Sequence, residues 1–594
     1  MDYRREIDGL RALAVLPVIL SHAGFQAFSG GFIGVDVFFV ISGYLITNII
    51  LGELAKDNFS IIQFYERRAR RILPALFLIM GISSGFAYAW MMPDEFKNFG
   101  QSVVATTLFS NNILLAITSG YWELASELKP LLHTWSLGVE EQYYVIYPFF
   151  MVLGWRYFRQ YLPIAIGILL LLSFLFAIWG LTKNPTMTFY LLPTRAWELL
   201  IGALAAFYLL RRGSIGSNQS QKQILSILGF ALILFAIFVF DRTYPSPGLF
   251  TLIPTCGAAL IIIYARDGVL VQRILSSAPM VAIGLISYSF YLWHQPLFAF
   301  SRIYFVNPPT LLISGALVIL SAALAYLTWK FVETPFRNKA KFSLKFIFIS
   351  SGILSVLFIV FGFFVARSYG LPSRIFDSTT KIEDMDKQIY NGRAFTYKRE
   401  QFSQPAKLNV LVVGNSFGRD FVNMTIETFD TTDAEIVYRD DLTACIYPYK
   451  SRLDEALYGS ADIIVFATGL VKDCLKEDLR FSKEGKKHIF YIGTKHFGYN
   501  LNWLIRLERN QLPNQFNPLL QSTIQDDLDI SSAVPPEFFI SLLAPVVREG
   551  QIPITDHLGR MLSTDRAHLT KYGAIYFGQK ALLPSRYGEL LTRK

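Results

Sequence analysis

The chain has 594 residues, of which 53% are hydrophobic and only 17% charged, and it carries a net charge of +10. Soluble proteins average about 25% charged residues, so the composition argues against a purely soluble chain, and disorder over most of the length is excluded. The basic residues form short clusters between apolar runs, a membrane pattern rather than a nucleic-acid groove, and the 3 cysteines exclude a disulfide framework or a Cys-rich zinc site.

From the start to Arg367, apolar runs near bilayer-spanning length follow one another. Arg4 and Arg5 before the first run resemble a signal peptide. No small-residue cleavage site follows and further runs come at once, so this reads as a retained first helix. Spans are expected to begin near Leu10, Phe32, Ile72, Val139, Tyr161, Phe189, Ile224, Gly248, Met280, Thr310 and Phe346. A further run, residues 100–118, holds Gln101, Ser102, Thr106, Thr107, Ser110, Asn111 and Asn112. It is too polar to face lipid and suits a re-entrant or bundle-buried segment. With that run not crossing and the N-terminus cytoplasmic, the inside segments hold Arg4 and Arg5, Arg67 to Arg71, Arg156 and Arg159, Arg211, Arg212 and Lys222, Arg266 and Arg273, and Arg337 to Lys345. The outside loops keep mostly single charges such as Lys97, Lys129, Lys183, Arg242 and Arg302. The positive-inside rule then holds at every loop, which predicts about eleven spans, a cytoplasmic N-terminus and an exported C-terminal domain.

Ionisable groups inside spans are functional candidates. His22 lies about 16 Å outward of Arg11 along the first helix, and Asp36 sits early in the second, at similar depth. An Asp beside a His fixes its tautomer and raises its basicity; a structural pair closing two helices is the other reading. Arg67, Arg68, Arg70 and Arg71 open the third span, where guanidinium forks suit the phosphates of an anionic cofactor and equally suit a headgroup anchor. His133 with Glu140 and Glu141 flanks the fourth span, and His294 lies late in the ninth.

Five stretches taken together resemble the acyltransferase-3 family of membrane proteins. They are Ile7 to Arg11 with His22, Gly34 to Gly43, Arg67 to Pro74, His133 to Tyr143, and Ser287 to Pro296, in the family's order over about the first 340 residues. The resemblance implies transfer of an acyl group, usually acetyl, from cytoplasmic acyl-CoA to an extracytoplasmic glycan. It places the family's essential His on His22 and its Arg-x-x-Arg on Arg68 and Arg71, with Asp36 and Glu141 as further catalytic candidates.

Beyond Arg367 the composition is that of a soluble α/β domain. A buried-type strand, Lys407 to Val413, runs into Gly414-Asn415-Ser416-Phe417-Gly418 and a helix, which exposes Ser416 at a sheet edge where a helix N-terminus holds an oxyanion. Asp565 and His568, three apart, share one face of a turn, so the carboxylate can orient the imidazole. Further strands are expected at Glu435 to Tyr438, Asp462 to Ala467 and His488 to Ile492, in a small doubly wound pattern. The Gly-x-Ser-x-Gly string also matches the α/β-hydrolase elbow, but the acid lies too close to the His. The combination resembles the SGNH hydrolases instead, which implies Ser416 as nucleophile with Asp565 and His568. Gly-Asn-Ser replaces the family's Gly-Asp-Ser, and its oxyanion Asn has no clear match; Thr468-Gly469 holds the expected position, and Asn500 is a candidate substitute.

The expected division is residues 1–340 for the acyltransferase bundle, 341–367 for a last span, 368–406 for a linker or SGNH extension, and 407–594 for the SGNH-like domain. Cys445 and Cys474 fall in the exported part, where oxidation is possible. An acyltransferase-3 bundle joined to an SGNH domain looks like the O-acetyltransferases of O-antigen, other lipopolysaccharide sugars or peptidoglycan. The expected protein is a bacterial inner-membrane enzyme using acetyl-CoA, with no metal and no nucleic acid, acting on a surface or lipid-linked glycan. A transporter or flippase with a glycan-binding domain is the competing class, although the internal repeat usual in transporters is missing.

Overall fold

A computed structural model describes residues 3–118, 126–212, 218–376, 381–403, 408–442, 444–446, 452–469, 473–485 and 487–592. The chain divides into two compact units. The first comprises Met1–Ala89, Asn98–Arg302 and Pro309–Arg367, and the second Trp90–Lys97, Ile303–Pro308 and Ser368–Lys594.

The first unit is helical. Its long helices are α1 (Arg5–His22), α2 (Gly34–Leu54), α3 (Ile61–Trp90), α6 (Thr134–Phe158), α7 (Leu162–Lys183), α8 (Leu192–Arg212), α9 (Gln219–Val239), α10 (Leu252–Tyr264), α11 (Ala278–Tyr304), α12 (Leu311–Thr328) and α13 (Leu344–Arg367). Between α3 and α6 lie α4 (Pro93–Thr107) and α5 (Asn111–Thr118). Each expected span thus has a helix. Among the described residues, however, only 6 helices are long and apolar enough to cross a membrane by those criteria. They correspond to α2, α3, α7, α9, α12 and α13. The others fall short for a physical reason: α10 is brief, and α1, α6, α8 and α11 carry the buried polar groups described below. On α7, α12 and α13, Leu171, Leu172, Ile319, Val356 and Val360 are exposed, an apolar surface of the kind lipid covers.

Helix directions are fixed by side-chain register. Phe39 packs on Trp135, Ser42 hydrogen-bonds Glu140, and Thr47 bonds Tyr147, so α2 and α6 run parallel. Arg68 reaches Glu141 and Tyr65 reaches the Tyr144 carbonyl, so α3 runs the other way. The segment between α3 and α6 therefore turns back instead of crossing. The break between α4 and α5 lies at Phe109, whose φ of 51° is left-handed. The amide NH2 groups of Asn111 and Asn112 are buried and donate to protein: Asn111 to the Leu131 carbonyl at 2.9 Å, and Asn112 to the Tyr190 carbonyl at 3.1 Å. This is the re-entrant geometry that the run's polarity requires, since non-helical backbone inside a bundle must be satisfied by protein.

In the second unit, strands β1 (Leu408–Gly414), β2 (Ala434–Arg439), β3 (Ile463–Ala467), β4 (His488–Ile492) and β6 (Phe539–Ile540) form a sheet of order β2-β1-β3-β4-β6. All its pairs are parallel. A small antiparallel pair joins β5 (Phe516–Pro518) to β7 (Gln551–Pro553). The strand residues alternate between two cores. Val410, Val412, Ile463 and Val465 face one, and Leu411, Val413, Ile464 and Phe466 the other, as the two-residue period demands. Residues 381–397 are packed rather than loose, because Met385, Tyr390 and Ala394 enter the first core. The expected boundary at 406/407, and Lys407 as a strand start, fall outside the described residues. Cys445 and Cys474 form a disulfide, with Cα atoms 5.4 Å apart.

Candidate active sites

The arginine run in the second and third turns of α3 separates into two kinds of contact. Arg67 pairs with Glu53 at 2.9 Å. Arg70 pairs with Glu66 at 2.8 Å and donates to the Phe336 and Phe342 carbonyls, so both are structural. Arg68 and Arg71, one turn apart, line a largely apolar cavity with Arg11 and Glu140, walled by Ser136, Tyr144, Tyr288 and Tyr291. Arg68 leans on Glu141 at 3.4 Å and lies 4.0 Å over the Tyr144 ring. Among the described residues Arg71 has no acidic partner. Guanidinium groups beside apolar walls suit a ligand that is anionic at one end.

Beyond Tyr291 lies a histidine cluster. His22 Nδ1 is 3.0 Å from His294 Nε2. The ring of His133 stands edge-on to His294, with centroids 5.5 Å apart. His294 and His133 are buried, whereas His22 retains some exposure. Gly284 makes this register possible: α1 and α11 approach so closely that a Cβ there would collide with the Asp8 carbonyl.

Asp36 does not join His22. It points from the first turn of α2 to α8, where Arg195 Nη1 bonds it at 2.7 Å and Glu198 at 2.8 Å. Gly43 and Gly202 permit this by bringing α2 and α8 into backbone contact. Similar depth is not adjacency: helix rotation turns Asp36 toward α8. The sequence analysis does not single out Arg195 or Glu198, whose one signal is that they are charges within an apolar run. Arg11 and the His22–His294 pair had no spacing signal, because α1 and α11 are remote in sequence.

In the second unit, Ser416 lies one residue beyond β1 and begins α14 (Ser416–Thr428), at the point where the strand order reverses, the usual ligand position in such sheets. Asn415, in place of the family's Asp, caps the helix by accepting the Phe417 N–H at 2.9 Å. Gly414 passes too close to the Ala467 carbonyl for any side chain. Asp565 Oδ2 meets His568 Nδ1 at 2.6 Å, and its Oδ1 accepts the His568 N–H at 2.9 Å. Burial works to raise the Asp565 carboxyl, but facing His568 and Lys387 hold it well below the ordinary carboxylate range. Ser416 Oγ is buried without a hydrogen-bond partner, so the Ser–His link of a triad is not made in this conformation.

What ties the Ser416 helix to the His568 loop is a pair absent from the sequence reading. Asp420 and Lys495, both fully buried, lie 2.7 Å apart. Asp420 also accepts the Leu569 N–H, and Lys495 donates to the Ala567 carbonyl. Asn391 adds a bond to Asp420 at 2.6 Å. Lys387 bridges Asp565 at 3.4 Å and Asp94 at 2.9 Å. Asn500 is not available as an oxyanion donor, because its amide already serves the Ile303 and Phe305 carbonyls and its oxygen accepts from Asn502.

The first unit holds the apolar helices of a multi-pass membrane protein, and an α/β domain with a parallel sheet follows it in the chain. The chain belongs to the acyltransferase-3 family, whose acyltransferase domain matches residues 4–330. It is 32% identical over 353 residues to peptidoglycan O-acetyltransferase OatA of Listeria monocytogenes, covering 57% of this chain and 56% of that protein. It is 29% identical over 350 residues to O-acetyltransferase OatA of Staphylococcus aureus, covering 57% and 58%. The chain therefore spans a little over half the length of the curated relatives it matches.

Proposed function

We propose that this chain is an O-acetyltransferase that takes an acetyl group from cytoplasmic acetyl-CoA and delivers it to a hydroxyl of a cell-surface glycan outside the membrane. The observation that carries this reading is the cavity shared by Arg11, Arg68 and Arg71, one wall of which is Tyr291, whose hydroxyl donates to the carbonyl of His133 in the histidine cluster. Arginine forks match the donor's phosphates, apolar walls accept its arm, and His22 supplies the base. Glu141 holds Arg68, and Asp36 acts through Arg195 in fixing α8. The chain crosses about eleven times, with a cytoplasmic N-terminus and a periplasmic SGNH-like domain. The parallel run of α2 and α6, the basic clusters and the Cys445–Cys474 disulfide all support that placement.

His568, oriented by Asp565, would activate Ser416 to receive the acyl group as an ester and pass it to the sugar. The Listeria relative is a peptidoglycan O-acetyltransferase, which favours peptidoglycan as acceptor over an O-antigen or other lipopolysaccharide sugar. The test is labelling in purified membranes with radiolabelled acetyl-CoA and each acceptor in turn. Wild-type membranes are expected to place base-labile label on peptidoglycan fragments. His22→Ala is expected to abolish donor consumption and product, and Ser416→Ala to abolish product alone. Label on lipopolysaccharide only would reassign the acceptor. Wild-type glycan labelling by Ser416→Ala would overturn the relay, and normal labelling by His22→Ala would overturn the bundle chemistry.

A further inference from the structure

An imidazole acts as a base only through the nitrogen that carries no proton, and the partner of the other nitrogen decides which one that is. We propose that His294 is a positioning residue that fixes the tautomer of His22 and leaves the His22 Nε2 lone pair free as the base of acyl transfer. The inference rests on the reading of His22 given above and names the group that orients it.

The assignment starts at a backbone carbonyl. His294 Nδ1 lies 2.5 Å from the Tyr291 carbonyl oxygen. A carbonyl oxygen can only accept, so Nδ1 carries the hydrogen. In the neutral ring the other nitrogen, Nε2, then has the lone pair. That nitrogen is 3.0 Å from His22 Nδ1, so His22 Nδ1 must be the donor. One hydrogen on His22 is thereby committed, and the lone pair falls on Nε2. Among the described residues Nε2 has no hydrogen-bond partner.

Neutral His294 is also what its surroundings require. It is 0% exposed, and a charge there would need a paired anion. Among the described residues, the charged groups facing this end of α1 are Arg302, Arg242 and Glu127. Arg302 donates to the His22 carbonyl at 2.7 Å. Glu127 is shared by Arg242 at 3.2 Å and Arg302 at 3.7 Å. The ring of His133 is buried and stands edge-on to His294, bringing no anion to it.

In the step that releases CoA, upstream of Ser416, the alcohol or phenol hydroxyl that first accepts the acetyl group in the bundle gives its proton to His22 Nε2 as its oxygen bonds to the thioester carbonyl carbon. The carbon–sulfur bond breaks, and the leaving thiolate takes that proton back. During the interval the imidazolium formed on His22 is stabilised by its Nδ1–H bond to the His294 lone pair. His294 thus does for His22 what Asp565 does for His568, with a backbone carbonyl as the final anchor.

The experiment uses the full-length chain in membranes, with acetyl-CoA as the varied substrate. His294→Leu removes the acceptor, whereas His294→Gln offers an amide oxygen near the place of Nε2. General-base catalysis contributes about a hundredfold to ten-thousandfold. His294→Leu is therefore expected to lower kcat by about a hundredfold or more with donor KM nearly unchanged, and His294→Gln to recover to within about tenfold of wild type. A merely structural role would not give that split or that rescue. Wild-type kcat in His294→Leu would overturn the proposal. So would equal loss in the Leu and Gln variants while both keep wild-type donor KM. Wild-type turnover in His22→Ala would instead overturn the underlying reading of His22, which keeps the two failures distinct.

Discussion

Arg68 and Arg71 share a helix face and a cavity but not a workload. Arg68 is engaged by Glu141 and by the Tyr144 ring, whereas Arg71 has no carboxylate against it among the described residues. Arg71 therefore has more of its binding capacity left for a ligand anion. Arg71→Lys is expected to raise the donor KM about tenfold, the order of one charge-assisted hydrogen bond. Arg68→Lys is expected to raise it less. Initial rates against acetyl-CoA concentration would show the ranking, and an unchanged KM in the double variant would leave these arginines as membrane anchors. Residue type and spacing made this pair legible, because i,i+3 positions share a face. They could not show that Arg67 and Arg70 are spent on Glu53 and Glu66, since those partners depend on how loops fold back.

Elements are held by contacts that no local pattern announces. The backbones of α2 and α8 touch at Gly43 and Gly202, and a methyl group on Gly43 would run into the Leu199 carbonyl. Gly43→Ala is expected to destabilise the bundle by about 1–3 kcal/mol through overpacking. Thermal denaturation in detergent would measure it, with loss of folded material at lower temperature as the outcome. In the loop after β4, His496 Nδ1 accepts the Gly498 N–H at 3.2 Å. Burial, helped by Arg566 and Lys495, lowers this imidazole to about 4. Its folded form thus binds protons less readily than its unfolded form. Stability from this site is complete above pH about 6.5 and is lost as the pH falls from there toward about 4. The loss is on the order of 3 kcal/mol for a shift of this size. Hydrogen exchange over residues 408–592 between those pH values would follow it, and His496→Asn, which keeps the acceptor without the titration, should flatten the profile.

At the scale of the whole molecule, the re-entrant segment decides which compartment receives everything after it. Because α2 and α6 run parallel, the segment holding α4 and α5 returns to the side it left. A reporter fused after Arg367 is expected to be active only outside the cytoplasm. Cytoplasmic activity would reverse the placement of the SGNH-like domain. The polarity of residues 100–118 made the return of this segment legible in the sequence. The second unit was legible in its strands, because β1, β3 and β4 are short runs of Val, Ile and Phe buried on both faces. The two-residue β6 was not, as so brief a pairing has no period to detect.

The sequence by itself determined the helical bundle, the α/β domain after it, the re-entrant run, and the candidates His22, Arg68, Arg71, Ser416, Asp565 and His568. These rest on hydrophobic period, charge placement and short-range spacing, all of which lie within a few turns of chain. Only the tertiary structure decided the partners. It gave Asp36 to Arg195, His22 to His294, Asp420 to Lys495, and Asn500 to the Ile303 and Phe305 carbonyls. The reason is geometric. Depth along a helix follows from residue count, but the direction a side chain faces across the bundle depends on helix rotation and on where glycines allow two backbones to meet.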